Sequence, residues 1–219
     1  MIVLSLCDRT GNMVKPWADA GFKCFIVDIQ HPAGETMFDK NITAVGADIR
    51  SWIPPRQNYC FVSAFPPCTH LAVSGARWFK EKGLKGLIEG LQLVEACRNI
   101  CEWAGAPWLL ENPVSTLASY WRTPDFTFHP YEYDSFSLTT SDRYYKRTCL
   151  WTGGGFTMPQ PIDSPPDRDD PDAERIWKMG PSPERANLRS ETPMGFAYAV
   201  FSHLNERGER DESRRHMEG

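Results

Sequence analysis

Short apolar runs that alternate with helical patterns constrain the fold of this chain more than any other feature of its sequence. They predict strands at about residues 2–7, 24–29, 44–48, 59–64, 107–111 and 146–151. Most segments between them have helical periodicity, and the longest predicted helix carries an apolar stripe from Leu84 to Ala104. This alternation predicts an α/β fold, in which a largely parallel sheet is covered by helices on both faces.

The composition agrees with one main domain that folds around its own core. The chain has 219 residues, of which 41% are hydrophobic, and its formal net charge is −4. Its seven cysteines lack the paired spacing of a secreted disulfide framework, so reduced thiols and a cytoplasmic location are expected. No segment has the length of a membrane span, and the apolar start MIVLSLC is interpreted as a first strand rather than a signal sequence.

Two of the predicted strands end in residues that could react together. The run FVSAF is followed by PPC, which ends at Cys68, and the run WLLE ends at Glu111. Open α/β sheets bind ligands at the carboxyl ends of their strands, so this thiol and this carboxyl are expected side by side. A thiolate that adds to carbon 6 of a pyrimidine, with an acid that protonates ring nitrogen 3, is the chemistry that suits such a pair. Ordinary core packing of Cys68 is the alternative.

Both stretches, in this order, resemble the DNA cytosine-5 methyltransferase family. Its nucleophile motif reads PPC and its acid motif reads ENV, where this chain has ENP. The resemblance extends to about residue 204 and implies a Rossmann-like, S-adenosylmethionine-dependent methyltransferase fold. It implies that Cys68 adds to carbon 6 of cytosine, that Glu111 bonds ring nitrogen 3, and that Pro67 and Asn112 contact the base.

Motifs in the first 50 residues resemble those with which the family binds S-adenosylmethionine. VLSLCDRTGNM corresponds to the first strand and its loop, and a second strand ends at Asp28, which would bond the ribose hydroxyls. The stretch GADI contains Asp48, which would bond the adenine amine, and RSETPMGFAYAVF resembles the segment that closes over the cofactor. The residues expected to bind the cofactor on this basis are Cys7, Gly11, Asn12, Asp28, Ile29, Asp48, Ile49, Pro66 and Thr192.

The first loop departs from the family pattern, which has a phenylalanine followed by several glycines. Cys7, Arg9 and Asn12 stand where the phenylalanine and two glycines would be, and only Gly11 is retained. Glycine permits close approach of the backbone to a ligand, and asparagine tolerates positive φ better than most residues. We therefore expect measurable but modest cofactor affinity.

Cations near the two motifs are candidates for contacts with the substrate. The predicted strand in KRTCLW begins with two cations, and the resemblance favours Arg147 for the role of the family arginine that faces the flipped base and its phosphate. Arg77 and Lys80 follow the nucleophile, with Trp78 between them, in a segment from 69 to 85 expected to close over the base. A solvated strand edge and a solvated basic helix start are the respective alternatives.

The resemblance also implies an organisation and a partner. Residues 1–151 would form the catalytic domain, residues 189–206 its closing segment and helix, and residues 207–219 a disordered tail. Between them, residues 152–188 form a short insert rich in Gly, Pro and Asp, in place of a target recognition domain. The chain thus resembles compact methyltransferases of bacteriophages and prophages, whose substrate is DNA, duplex or single-stranded, in the cytoplasm of a bacterial host.

Parts of the same sequence pattern also occur in proteins of other functional classes. Thymidylate synthases also carry a cysteine after prolines, but the amino-terminal motif and ENP fit the S-adenosylmethionine enzymes better. A pyrimidine nucleotide at the dCMP level, rather than DNA, would be a substrate for the same chemistry, and a catalytically decayed DNA-binding relative is a further alternative. Cys60, Cys68 and His70 lack the close paired spacing of zinc ligands, so no metal is expected. The oligomeric state is left open.

Overall fold

A single eight-stranded sheet organises the part of the chain that the structure describes, residues 1–167, 169–180 and 185–217 of a computed structural model. The strands lie in the order β3-β4-β2-β1-β5-β6-β8-β7. Their bounds are β1 (Ile2–Leu6), β2 (Lys23–Val27), β3 (Gly34–Asp39), β4 (Ile42–Gly46), β5 (Tyr59–Ala64), β6 (Trp108–Pro113), β7 (Phe126–Phe128) and β8 (Thr148–Gly153).

The five central strands are parallel, and the chain reverses direction across the sheet at β1. β1 pairs in parallel with β2 on one side and with β5 on the other, while β4 and β6 continue the parallel part outward. β3, β8 and β7 add antiparallel pairs at the two edges. The crevice between the carboxyl ends of β1 and β5 is therefore a topological switch point, where open α/β sheets bind their ligands.

Helices cover both faces of this sheet. On one face Trp17 of α1 (Lys15–Asp19) stacks on Phe61 of β5, with ring centroids 4.9 Å apart. On the other face Cys97 of α2 (Phe79–Ala104) joins a buried cluster that includes Val62. Phe61 and Val62 are neighbours on one strand and so point to opposite faces. The predicted Rossmann-like α/β fold, with a largely parallel sheet and helices on both faces, is confirmed.

The predicted elements agree with the observed ones where a buried pattern exists. Each of the six predicted strands is present, with bounds shifted by up to two residues. The sequence did not predict β3 and β7, because β3 has no buried residue and β7 has only three residues. The predicted helix from Leu84 is the part of α2 that follows a kink at Gly83, whose φ is 61° and ψ is −165°.

The chain forms two compact units. The first comprises residues 1–129 and 146–156, which include the whole sheet, α1, α2, α3 (Leu117–Tyr120) and a 3-10 helix (Val73–Trp78). The second comprises residues 130–145 and 157–219, with another 3-10 helix (Pro130–Phe136), α4 (Arg175–Lys178), α5 (Arg185–Ser190) and α6 (Met194–Met217). The segment 189–206, expected to belong to the catalytic domain, thus groups with the second unit.

Close backbone approach holds the second unit together at the start of α6. The Gly195 N–H donates to the buried Asp142 carboxylate at 2.8 Å, and a Cβ at Gly195 would lie 2.1 Å from the carbonyl oxygen of Tyr133. Within the predicted insert at 152–188, the described residues from 154 to 174 contain no helix or strand, and α4 and the first residues of α5 follow them.

The last helix extends into the segment 207–219, for which the sequence predicted disorder. α6 continues through Met217, and residues 218–219 lie outside the described residues. Extending a helix that has already formed adds one hydrogen bond for each residue fixed, whereas starting a helix is costly. The buried first turns of α6 provide that start, which a composition argument about the tail alone does not consider. In the described residues no helix is long and apolar enough to cross a membrane.

Two glycines in α2 allow the helix to pack closely against the turn that follows Cys68. A Cβ at Gly90 would lie 3.0 Å from Leu71 Cγ, and one at Gly86 would lie 2.8 Å from His70 Nδ1. Leu71 is fully buried and cannot move aside at low cost.

We expect Gly90→Ala to lower the free energy of unfolding by about 1 kcal/mol. Alanine is favoured over glycine by about 1 kcal/mol in a helix interior, but overpacking a core costs about 1–3 kcal/mol. Urea denaturation measures the difference, with the exposed Gln92→Ala on the same helix as control. A Gly90→Ala protein more stable than the wild type would show that the packing against Leu71 is not tight.

Candidate functional site

The loop after β1 has the backbone conformation of a tight turn. Cys7 has a φ of 53° and Gly11 a φ of 72°, and Gly11 carbonyl oxygen accepts from the N–H groups of Val14 and Lys15 at the start of α1. Cys7 Sγ lies 3.7 Å from Cys97 Sγ, and this contact together with burial raises the pKa of the Cys7 thiol well above its usual range. Cys7 therefore acts as a small neutral side chain under the loop.

The second strand ends beside this loop. Asp28 is half-buried, its carboxylate accepts the Gln30 N–H at 2.7 Å, and its own N–H donates to the Val45 carbonyl at 3.1 Å. Ile29, the next residue, exposes 70% of its surface. His31 returns toward the first loop, with Nε2 3.0 Å from the carbonyl oxygen of Asp8. An acidic group and an uncovered apolar side chain thus lie together at the carboxyl end of β2.

Asp48 is engaged with a neighbour. Arg50 donates to both carboxylate oxygens of Asp48, with Nε 2.9 Å from Oδ1 and Nη2 2.5 Å from Oδ2, and these hydrogen bonds lower the pKa of Asp48. Ile49 is buried in the core cluster that packs against α2. An open groove of about 570 Å³ begins at Arg50 and is lined by Arg50, Lys85, Ile88, Glu89 and Gln92.

The turn after β5 carries Cys68. Its backbone is fixed to the central strand, because the Phe65 N–H donates to the Leu6 carbonyl at 2.9 Å. The carbonyl oxygen of Cys68 accepts the N–H groups of Leu71 and Ala72, each at 2.9 Å, which closes the turn. The residue itself is half-buried.

Three hydrogen bonds join this turn to the segment after Glu111. The Asn112 side-chain amide donates to the Pro66 carbonyl at 3.0 Å, and Asn112 is fully buried. The Val73 N–H donates to the Val114 carbonyl, and the Thr116 N–H donates to the Leu71 carbonyl, both at 3.0 Å. These two backbone hydrogen bonds form an isolated antiparallel bridge between Ala72 and Ser115. The structure therefore brings together the two segments that the sequence placed at the carboxyl ends of neighbouring strands.

The half-buried Glu111 has a carboxyl oxygen that makes no hydrogen bond in the described part of the chain. Its side chain exposes 15% of its surface, and Oε1 has no hydrogen-bond partner among the described residues. Lys146 Nζ lies 4.0 Å from Oε1, at the edge of an ion pair. Burial raises the pKa of Glu111, and the charge of Lys146 opposes that rise. The raised pKa favours the protonated form of this carboxyl, which can donate its proton to a bound group.

The cation beside Glu111 is Lys146, whereas Arg147, which sequence reasoning favoured, is exposed. Glu111 pairs with Leu150 across β6 and β8, and side chains alternate along an extended chain. Counting back by twos from Leu150 therefore puts Lys146 on the face of Glu111 and Arg147 on the face of Cys149. Strand alternation was the signal that could have identified Lys146.

The other predicted residues lie in different surroundings. Pro66 is buried, and Pro67, the residue before Cys68, is exposed. Arg77 and Lys80 are exposed, and the Arg77 guanidinium lies 5.0 Å from the ring centroid of Trp78. Asn12 is half-buried in the first loop, while Thr192 is buried in the second unit.

No metal centre is evident in the described ranges. No group of three or more His, Cys, Asp and Glu side chains there could hold a metal ion. Of the three residues weighed as zinc ligands, Cys60 donates to the Ile2 carbonyl, and His70 Nε2 lies 3.8 Å from Glu89.

Comparisons with known proteins give distant structural similarity only. No protein-family model matches the chain. No curated protein matches it either. Among solved structures, it is similar to the CcbJ methyltransferase from Streptomyces caelestis, with 17% identity and a TM-score of 0.30 over 50% of this chain and 41% of that one. It is also similar to the glycopeptide N-methyltransferase MtfA complexed with S-adenosylmethionine, with 15% identity and a TM-score of 0.28 over 69% of this chain and 63% of that one. The chain thus covers less than two thirds of either protein.

The raised pKa of Glu111 predicts a pH-dependent difference between the wild type and Glu111→Gln. The folded wild type binds this proton more tightly than the unfolded chain, so its stability falls as pH rises from the ordinary glutamate pKa through the raised one. The variant lacks this loss. It should therefore gain stability relative to the wild type with rising pH, by about 1.4 kcal/mol for each unit of the pKa rise.

Urea denaturation between pH 4 and pH 8 measures this difference, and the exposed Glu81→Gln on α2 is the matched control. The ion pair with Lys146 exists only while Glu111 is ionised, so its effect is already contained in the pKa of Glu111, and the change of the difference with pH is diagnostic. A constant gap between the wild type and Glu111→Gln would contradict a raised pKa.

Proposed function

We propose that this protein transfers a methyl group from S-adenosylmethionine to carbon 5 of cytosine in DNA, through a covalent adduct on Cys68. The observation that carries the proposal is the half-buried Glu111, whose pKa is raised and whose Oε1 accepts no hydrogen bond in the described part of the chain, in a segment hydrogen-bonded to the Cys68 turn. A nucleophile and a proton-holding acid at one sheet edge are the two groups that this reaction requires.

The reaction would proceed by addition and elimination. The Cys68 thiolate forms a bond to carbon 6 while Glu111 donates to ring nitrogen 3, so that the electrons of the carbon 5–carbon 6 double bond become available at carbon 5. S-adenosylmethionine, when bound, would supply the electrophilic methyl group to carbon 5 and be released as S-adenosylhomocysteine. Loss of the carbon 5 proton to a base, with return of the ring nitrogen 3 proton to Glu111, would then restore the cytosine ring and expel Cys68 as a thiolate. Electrostatic support of the ring by Glu111 lowers the barrier of the first step.

Lys146 and Asn112 would support Glu111. The positive charge of Lys146, 4.0 Å from Oε1, limits how far burial raises the pKa and keeps the carboxyl able to give up its proton. Asn112 fixes the backbone beside Glu111 through its bond to the Pro66 carbonyl. Lys146 would therefore take the place beside the base that was expected for Arg147, and Arg147 would contact a phosphate.

The residues at the carboxyl ends of β1 and β2 fit a cofactor of this kind. The half-buried Asp28 can accept hydrogen bonds from two ribose hydroxyls, and the exposed Ile29 offers an apolar surface to a flat base. Asp48 is less available to bond the adenine amine, because Arg50 already donates to both of its oxygens. This agrees with the modest affinity expected from the glycine-poor loop.

The nucleophile can be tested with DNA that contains 5-fluorocytosine. Fluorine cannot leave carbon 5 as a proton does, so we expect a stable adduct between Cys68 and the DNA when S-adenosylmethionine is present. Mass spectrometry of the digested adduct identifies the modified residue. Cys68→Ser should form no adduct and lose nearly all transfer of labelled methyl groups.

Cys60→Ser is the control for this experiment, since it replaces a half-buried cysteine whose thiol donates to a backbone carbonyl, as a hydroxyl also can. Full activity of Cys68→Ser would exclude the proposed mechanism. Binding of a reduced folate instead of S-adenosylmethionine would favour a thymidylate synthase.

The form of the substrate is a second expectation. The insert at 152–188 is short, and reading each base pair requires rigid side chains whose contacts contribute about 1–3 kcal/mol. We expect methylation at very short sites, on single strands, or on deoxycytidine monophosphate. Few phosphate contacts are available around Arg77, Lys80 and Arg147 in a chain of net charge −4, so binding should depend weakly on salt.

Bisulfite sequencing of a treated random duplex, beside assays on single strands and on deoxycytidine monophosphate, separates these substrates. Turnover on the mononucleotide alone would replace DNA with a nucleotide as the substrate. Methylation confined to one long defined site would contradict the expectation.

A further inference from the structure

We infer that Asp8 is a positioning residue, which gives the loop at residues 7–12 its cofactor-binding shape in place of the absent glycines. The inference rests on the proposed function, because the ligand of this loop is the S-adenosylmethionine assigned above. Asp8 is the second residue after β1, at the start of the loop beside the switch point.

The carboxylate of Asp8 lies under the loop and binds it from inside. Asp8 is 4% exposed. Its Oδ1 accepts the Gly11 N–H at 2.8 Å and the Thr10 N–H at 3.0 Å, and the Thr10 hydroxyl lies at 3.2 Å. Two consecutive backbone amides are therefore turned inward onto one oxygen, which sets the course of the chain between Cys7 and α1.

The second carboxylate oxygen is anchored to the sheet. Ser5 Oγ donates to Asp8 Oδ2 at 2.7 Å, and Ser63 Oγ donates to Ser5 Oγ at 2.8 Å. Ser5 and Ser63 are paired residues of β1 and β5, and both are fully buried. β5 is the strand that leads to Cys68, so this chain of three side chains joins the first loop to the strand of the nucleophile.

Two serines in the middle of an otherwise apolar sheet are costly unless they are hydrogen-bonded. Here the donation runs in one direction, from Ser63 through Ser5 to the carboxylate, and it ends at an acceptor that also receives donors from the loop. Burial raises the pKa of Asp8 and these hydrogen bonds oppose the rise. The two carboxyl oxygens divide these contacts, since Oδ1 accepts from the loop and Oδ2 from Ser5, so one side chain joins the loop to the sheet.

The backbone carbonyl of Asp8 also contacts the loop that follows β2. His31 Nε2 lies 3.0 Å from the backbone oxygen of Asp8, and His31 follows Asp28 by three residues. The Asp8 backbone therefore also contacts the loop after β2, whose Asp28 would bond the ribose of the cofactor.

The test compares Asp8→Ala with Asp8→Asn and Ser5→Ala. The asparagine side-chain oxygen can still accept from Thr10 and Gly11, whereas alanine leaves both amides without a partner. We expect amide hydrogen exchange at Gly11 to be at least tenfold faster in Asp8→Ala than in the wild type. Affinity for S-adenosylmethionine should fall on the order of 10- to 100-fold, as for the loss of a hydrogen-bonded buried charge. The exchange rates and cofactor affinities of Asp8→Asn and Ser5→Ala should lie between those of the wild type and Asp8→Ala.

Asp125→Asn is the control, because Asp125 also holds a backbone amide, that of Thr152 at 2.7 Å, but away from this loop. It should lower stability without changing cofactor affinity. The inference is overturned if Asp8→Ala binds S-adenosylmethionine as the wild type does, even if it is less stable. If Asp8→Ala does not fold, the same comparison is made with Ser5→Ala. A wild type that binds no S-adenosylmethionine would refute the proposed function, while faster exchange at Gly11 would still establish that Asp8 shapes the loop.

Discussion

Backbone hydrogen bonds beyond the ends of β5 and β6 are the constraint on which the candidate site depends. Within the sheet these strands pair only from Val62 to Ala64, yet contacts between the turn after Pro66 and the segment from Asn112 to Thr116 continue the association past the last paired residue. A thiol on a turn would otherwise sample many positions. Because the turn is held to the strand of Glu111 on one side and to glycines of α2 on the other, Cys68 and the acid share one rigid frame.

The same sheet edge contains two buried carboxyls that differ in their partners. Asp8 has four donors and no role in proton transfer, whereas Glu111 has an oxygen with no partner in the described ranges and one cation at 4.0 Å. Burial raises the pKa of both, but hydrogen bonds to the ionised form oppose the rise only for Asp8. A carboxylate whose two oxygens both accept hydrogen bonds fixes the structure around it, while one with an unused acceptor remains available to a ligand.

The sequence was sufficient for features that depend on buried periodicity and on the ends of strands. It predicted the six strands with a buried pattern, the main part of α2, and the proximity of the segments that carry Cys68 and Glu111. It could not predict β3, which buries no residue, or the continuation of α6, which depends on packing of its first turns. The ion pair of Asp48 with Arg50 and the anchoring of Asp8 through Ser63 were also missed, because hydrogen-bond partners are not encoded in local spacing.

The identity of the cation beside Glu111 has a chemical consequence. An arginine can donate two parallel hydrogen bonds to a carboxylate and would hold Glu111 in its ionised form. Lysine is a single point charge, and at 4.0 Å its attraction opposes the effect of burial without forming a close pair. Glu111 therefore keeps a raised pKa while the positive charge remains near the developing negative charge on its oxygens. Lys146 at this position therefore leaves the protonated form of the carboxyl more accessible than a bidentate arginine would, as the proposed reaction requires.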